Sequence, residues 1–168
     1  MRIGVDVGSV RVGVATCDPA GLVATPVETL RRGRGDLDAV SRLVTEREAV
    51  EVVVGLPTTL AGRQGAAADA AEAYARAVAE RVDVPVRLVD ERLSTVGAQR
   101  DLRASGVDTR RGRSVIDQAA AVIILQGALD AERQSGVAPG RVVEGARSTD
   151  GPPPSTGASP TTDVKGER

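Results

Sequence analysis

Four acids in this chain stand where carboxylates are costly or well placed. Asp6 lies inside an apolar run, Ile3-Gly-Val-Asp-Val-Gly8. A carboxylate in mid-strand is expensive to bury unless it is paired or binds a cation, although Asp6 could also serve nearby turn amides. Asp90 and Glu91 close a second apolar run that begins at Val86. Asp117 precedes Ala120, Ala121 and Ile124 at the i+3, i+4 and i+7 positions of one helix face. Small and apolar residues mark that face as the buried one, so Asp117 can approach a sheet edge. Two or three carboxylates converging without histidine form a hard oxygen site suited to Mg²⁺ or Mn²⁺. Two such ions can clamp the attacking and leaving oxygens of an in-line phosphoryl displacement, with no covalent nucleophile from the protein. Asp6, Asp117 and either Glu91 or Asp90 are the candidate metal ligands and catalytic residues. Plainer roles compete. Ser114-Val-Ile-Asp117 fits a capping box with the acid at its third position, and Asp90 or Glu91 can pair with Arg92 or cap a helix at Ser94.

The absences narrow the chemistry. The chain has no histidine, which excludes Ser-His-Asp and Cys-His catalysis. Cys17 is the single cysteine, so the usual zinc sites are excluded too, and its apolar setting reads as a small core residue. Tyr74 is the only aromatic residue, so no base-stacking platform is available. The formal net charge is −1, but residues 87–113 hold seven arginines against four acids. Arg110, Arg111 and Arg113 sit just before Asp117, where a passing phosphate backbone would need cations. Arg11, Thr58, Arg63 and Arg92 join them as candidate nucleic-acid contacts. Without base-reading motifs, such recognition rests on shape and backbone.

The elements that must position these residues follow from periodicity and punctuation. Residues 2–8 and 11–17 read as a hairpin, with a third strand over 22–30. Asp36 is expected to cap a helix over 37–48. Glu51-Val-Val-Val-Gly55 reads as a strand buried on both faces. A helix over 65–82 and a strand over 86–91 follow. A helix opens at Ser94 or Thr95 and runs to about 104, a Gly/Arg-rich loop spans 106–113, and the last helix runs from Ser114 to about Arg133. Three strands followed by alternating helix and strand imply an α/β fold. Its sheet is mixed, an antiparallel meander and then parallel crossovers, with helices on both faces. In such sheets ligands bind beyond the carboxyl ends of the parallel strands, where Asp6 and Asp90-Glu91 share an edge.

Residues 1–133 read as one domain. Residues 134–168 hold five prolines and six glycines with balanced charge, and are expected to be a disordered tail. No apolar run is long enough to span a membrane, and the strand at the N-terminus leaves no room for a signal peptide, which points to the cytoplasm.

Four blocks in series, Asp6-Val-Gly-Ser-Val-Arg-Val-Gly-Val-Ala15, Val54-Gly-Leu-Pro57, Asp90-Glu-Arg-Leu-Ser-Thr95 and Ile116-Asp-Gln-Ala-Ala-Ala-Val-Ile-Ile-Leu-Gln126, resemble the YqgF (RuvX-like) family of pre-16S rRNA nucleases, also described as Holliday junction resolvases. The resemblance covers residues 1 to about 130. It implies an RNase H-like fold, with a five-stranded mixed sheet in the order 3-2-1-4-5. It implies a metal-dependent hydrolase of phosphodiester bonds, of the two-metal type, acting on the 5′ end of immature small-subunit rRNA. By position, Asp6, Glu91 and Asp117 would be the site acids. The chain departs from the family pattern at Val10, Thr59 and Ala61, where the family often has Lys, Asn and Asp. The fourth strand carries no acid at its carboxyl end, so Glu91 must reach across it to complete the site.

Other classes remain open at this point. Resolution of four-way DNA would require two symmetric cuts and therefore a homodimer. An Asp-x-Gly turn also suits actin-like ATPases, but those use two such domains and this chain has length for one. A non-catalytic ribosome-assembly or transcription factor on the same fold is the third reading.

Overall fold

The computed structural model describes residues 1–33, 35–58, 65–93 and 110–143, with backbone only at 110–116. β1 (Arg2–Val7) and β2 (Arg11–Cys17) form the expected antiparallel hairpin, with Asp6 opposite Gly13. The turn is closed by the Gly8 N–H donating to the Arg11 carbonyl at 2.9 Å. β3 (Ala24–Arg31) pairs antiparallel with β2. It starts later than its apolar residues suggest. The Asp18 carboxylate accepts the N–H groups of Ala20, Leu22 and Val23 at 3.1, 2.6 and 2.7 Å, which folds Leu22 and Val23 into a loop before the strand begins.

α1 spans Asp36–Glu46. Its N-cap is Gly35, at φ 93°, rather than Asp36. Asp36 lies within the first turn, accepts the Leu37 N–H at 2.9 Å, and is buried. Burial, and then the charge of Asp36, hold the Tyr74 hydroxyl well above its ordinary pKa. β4 (Glu51–Leu56) is buried on both faces as its composition predicts. It pairs in parallel with β1 and with β5 (Val86–Asp90), and α2 (Ala66–Ala79) makes the crossover between them.

The last helix, α3, runs Arg110–Ser135. It begins four residues before Ser114, so Arg110, Arg111 and Arg113 lie on its opening turns rather than in a loop. Asp117 is then interior to the helix, and Ser114 does not stand at its N-terminus. The expected helix after Ser94 and the Arg63 loop lie outside the described residues.

The sheet order is β3-β2-β1-β4-β5-β6. The first five strands match expectation. The sixth, β6 (Arg141–Val142), falls in the segment expected to be unstructured, and pairs antiparallel with β5. Gly140 has φ 79°, and a Cβ there would lie 2.0 Å from the Leu88 carbonyl oxygen, so only glycine lets the chain come this close to β5. Val143 then donates its N–H to the Val86 carbonyl and is buried, while Arg141 pairs with Glu72 of α2 at 2.9 Å. Two residues of backbone pairing, one buried valine and one ion pair secure this strand.

Alternation along the strands builds two cores. Ile3, Val5, Val12, Val14, Val52, Val54, Val86 and Leu88 pack under α1 and α2. Ala15, Cys17, Val53 and Val89 pack under Ala121, Ile124, Leu125 and Leu129 of α3. Cys17 is a buried core residue, as expected.

Candidate active site

Strand parity fixes the side of the sheet each acid occupies. Ile3 and Val5 point into the α1/α2 core, so Arg2, Gly4 and Asp6 face α3. A Cβ on Gly4 would meet the Leu125 Cβ at 2.7 Å, which places α3 directly on that face. Asp6 is 7% exposed. Its register partner, Gly13, also faces α3, and a Cβ on Gly13 would lie 2.0 Å from the carbonyl oxygen of Asp117. The absence of a side chain at Gly13 therefore lets the helix lie against β2 at the level of Asp117, beside Asp6.

Glu91 opens a single 3₁₀ turn (Glu91–Leu93) after β5 and is 6% exposed. Its Oε1 lies 3.2 Å from where a Cβ of Gly55 would sit, beside Ile124 of α3. Gly55 belongs to β4, the strand between β1 and β5. Glu91 thus reaches across β4 on the α3 side, over a position that carries no side chain.

Asp90 goes the other way. It shares parity with Val86 and Leu88, which belong to the α1/α2 core. Its carboxylate accepts the Thr58 hydroxyl at 2.7 Å, the Arg92 N–H at 2.9 Å and the Arg92 guanidinium at 2.6 Å. The Arg92 bonds are the main reason its pKa falls to about 2. Asp90, Thr58 and Arg92 therefore form a mutual tie at the end of β5, and of the two adjacent acids only Glu91 lies on the α3 side with Asp6. Two of the expected nucleic-acid contacts, Thr58 and Arg92, thus take part in this tie.

Asp117 is held by Arg11, whose Nε donates to Oδ2 at 2.6 Å. Arg11, the first residue of β2, shares the parity of Gly13 and so faces α3. Asp6, Glu91 and Asp117 are thus brought to one side of the sheet, at the carboxyl ends of β1 and β5. Among the described residues, however, no three acids close into a metal-ligand set. The donors suit a hard divalent cation in kind, being carboxylate oxygens in buried or half-buried positions. Arg110, Arg111 and Arg113 are placed by backbone alone, and Arg113 lies about one helical turn before Asp117.

The sequence reading missed a second charged group on the same face. Arg2 pairs with Glu51 at 3.1 Å and with Glu132 of α3, and Arg87 pairs with Glu51 at 2.7 Å. Alternation was the available signal: Arg2, Glu51 and Arg87 share the parity of Asp6, Gly55 and Glu91.

An antiparallel meander feeding two parallel crossovers, with the acids on the α3 side, defines an RNase H-like fold. Two solved structures agree. Thermus thermophilus RuvC in complex with Holliday junction substrate aligns with a TM-score of 0.54 at 18% identity, covering 83% of this chain and 98% of that one. A second Thermus thermophilus RuvC structure aligns at 0.52 and 14% identity, covering 83% and 99%. A family model described as RuvX, Holliday junction resolvase, matches residues 1–131, and the chain belongs to that family. Relatives carrying the name "Putative pre-16S rRNA nuclease" include proteins of Thermobifida fusca, 54% identical over 86% of this chain and 96% of theirs, and of Streptomyces avermitilis, 57% identical over 85% and 94%. A third, from Mycobacterium sp. strain KMS, is 59% identical over 83% of this chain and 85% of its own. The nuclease class implied by the four sequence blocks is the class to which these comparisons lead.

Proposed function

We propose that this protein is a cytoplasmic, divalent-metal-dependent nuclease that hydrolyses phosphodiester bonds at the 5′ end of precursor small-subunit rRNA. The observation that carries this reading is the gathering of Asp6, Glu91 and Asp117 on one side of the sheet, from β1, the turn after β5, and α3. The names of relatives at 54–59% identity support the RNA substrate. Asp6, Glu91 and Asp117 would hold Mg²⁺ or Mn²⁺. When bound, the metal supplies activation of water and neutralisation of charge on the transferring phosphoryl group.

The remaining work belongs to the chain. Asp6 is fixed by the β1–β2 ladder, and Glu91 by the turn that Asp90, Thr58 and Arg92 secure. Close packing of α3 on Gly4 and Gly13 sets the height of Asp117 over the sheet. The backbone positions of Arg110, Arg111 and Arg113 suit contact with phosphates approaching along α3. No described helix is long and apolar enough to cross a membrane.

The test is Asp6→Asn in Mg²⁺- or Mn²⁺-dependent cleavage of a precursor small-subunit rRNA fragment, with a four-way DNA junction as the parallel substrate. The variant should keep its circular dichroism spectrum and lose cleavage. Undiminished cleavage sinks the proposal. Preference of the wild type for the DNA junction, together with a dimeric mass, would move the substrate to branched DNA, the activity in the family's description.

A further inference from the structure

We propose that Arg11 is an exchangeable counter-ion of the carboxylate site: it holds Asp117 while no divalent cation is bound and gives it up when one loads. This rests on the metal reading above and adds a device that reading does not contain. Two observations carry it. Asp117 is engaged by the Arg11 Nε at 2.6 Å, and the three acids that share this face do not close into a ligand set among the described residues. A common ion would draw Asp117 toward the other acids, and in this proposal its contact with Arg11 loosens as it moves.

The construction of the pair suits exchange. The Arg11 backbone is pinned on both sides. Its carbonyl accepts the Gly8 N–H, the Arg32 N–H donates to the Val10 carbonyl at 2.9 Å, and the Arg32 Nη1 donates to the Gly8 carbonyl at 2.9 Å. What remains free to move is the side chain, and it lies at the rim: the Arg11 and Asp117 side chains are 31% and 19% exposed. The pair keeps contact with water on the Arg11 side, so a divalent ion shared by several carboxylates can compete with it. Arg87 and Glu51, at the far end of the same face, are more deeply set, and Glu51 is shared with Arg2. In this arrangement Arg11 limits crowding of negative charge before loading, and sets the divalent concentration at which the site fills.

The full-length protein is to be labelled with ¹⁵N and ¹³C, and Mg²⁺ added stepwise without nucleic acid. The Asp6 and Asp117 carboxylate carbons should shift over one concentration range. Over that same range the Arg11 Nε–H should leave its ion-paired position and exchange faster with water. Carboxylates that shift while the Nε–H signal stays unchanged overturn the exchange and leave the metal reading intact. Carboxylates that do not respond to Mg²⁺ overturn both. Independently, Arg11→Gln should tighten Mn²⁺ binding, read by electron paramagnetic resonance, by at least about threefold, the worth of a partly exposed ion pair. Unchanged or weaker binding by a folded Arg11→Gln protein also overturns it.

Discussion

Under the last turns of α3, at the amino ends of β1 and β4, Arg2, Glu51, Arg87 and Glu132 interlock, two cations against two acids. Under the opening half of the same helix, at the carboxyl ends of β1 and β5, stand Asp6, Glu91 and Asp117, with Arg11 on Asp117. The two groups share a face, a covering helix and a strand parity, and differ in the charges they bring together. The first is self-neutralising, with each glutamate bonded to arginine, and so has the pattern of a structural network. The second gathers carboxylates from three separate elements. Stability alone gives no reason to assemble like charges in this way, whereas a site that recruits a cation does. One end of the face secures the helix, and the other is, in the function proposed above, the end arranged for chemistry.

The contrast can be broken most directly at Asp6. Asp6→Asn should lower metal-dependent cleavage by more than about a hundredfold, beyond the usual effect of disturbing an outer-shell partner. Its Tm should stay within a few degrees of the wild type. A large fall in Tm would make Asp6 a structural residue and erase the distinction between the ends.

Gly13→Ala tests the geometry that links the two. The added Cβ meets the Asp117 carbonyl oxygen at 2.0 Å, so helix and sheet must separate. We expect a loss of about 3 kcal/mol by denaturant unfolding, together with weakened metal binding. Loss of stability with unchanged metal binding would mean that the height of α3 does not position Asp117.

Glu51→Gln should show the opposite pattern to Asp6→Asn. It leaves Arg2 and Arg87 facing a neutral group, for a cost of about 2 kcal/mol, less than for a fully buried pair because both arginines reach water. Specific cleavage by the folded fraction should not change. A selective loss of cleavage would extend the active site to this end.

The smallest expected effect is at Asp90, which lies outside both groups. Its folded pKa, about 2, is below the usual carboxylate value of 3.8. Its contribution to stability is therefore complete above about pH 4 and is lost as pH falls through about 2. Asp90→Asn should remove that segment of the acid-stability curve, at a cost under about 1 kcal/mol at neutral pH. A loss of cleavage as large as that of Asp6→Asn would instead return Asp90 to the metal site.

Most of the element order was legible because apolar alternation and turn residues are local signals. The hairpin at Gly8, the doubly buried β4 and the mixed sheet all follow from short windows. Errors fell where a particular contact, rather than a periodic pattern, decides the outcome. The start of β3 depends on Asp18 capturing three amides. β6 has two residues and no periodicity, and exists because Gly140 can lie against Leu88. The start of α3 lies ahead of Ser114, its expected cap, because a possible N-cap competes with continued helix and does not itself end one.

For the candidate site, the sequence by itself limited the chemistry: carboxylates without histidine, set into strand ends and a small-residue helix face. Residue type alone excludes whole classes of reaction. It also placed Asp6 opposite the apolar positions of its own strand, since Ile3, Val5 and Val7 alternate with it, but left Asp90 and Glu91 undivided. Only the tertiary structure decided that Glu91 crosses Gly55, that α3 rests on Gly13, and that Arg11 takes Asp117. Those facts depend on distances between residues 36 to 106 positions apart, and no local pattern encodes them.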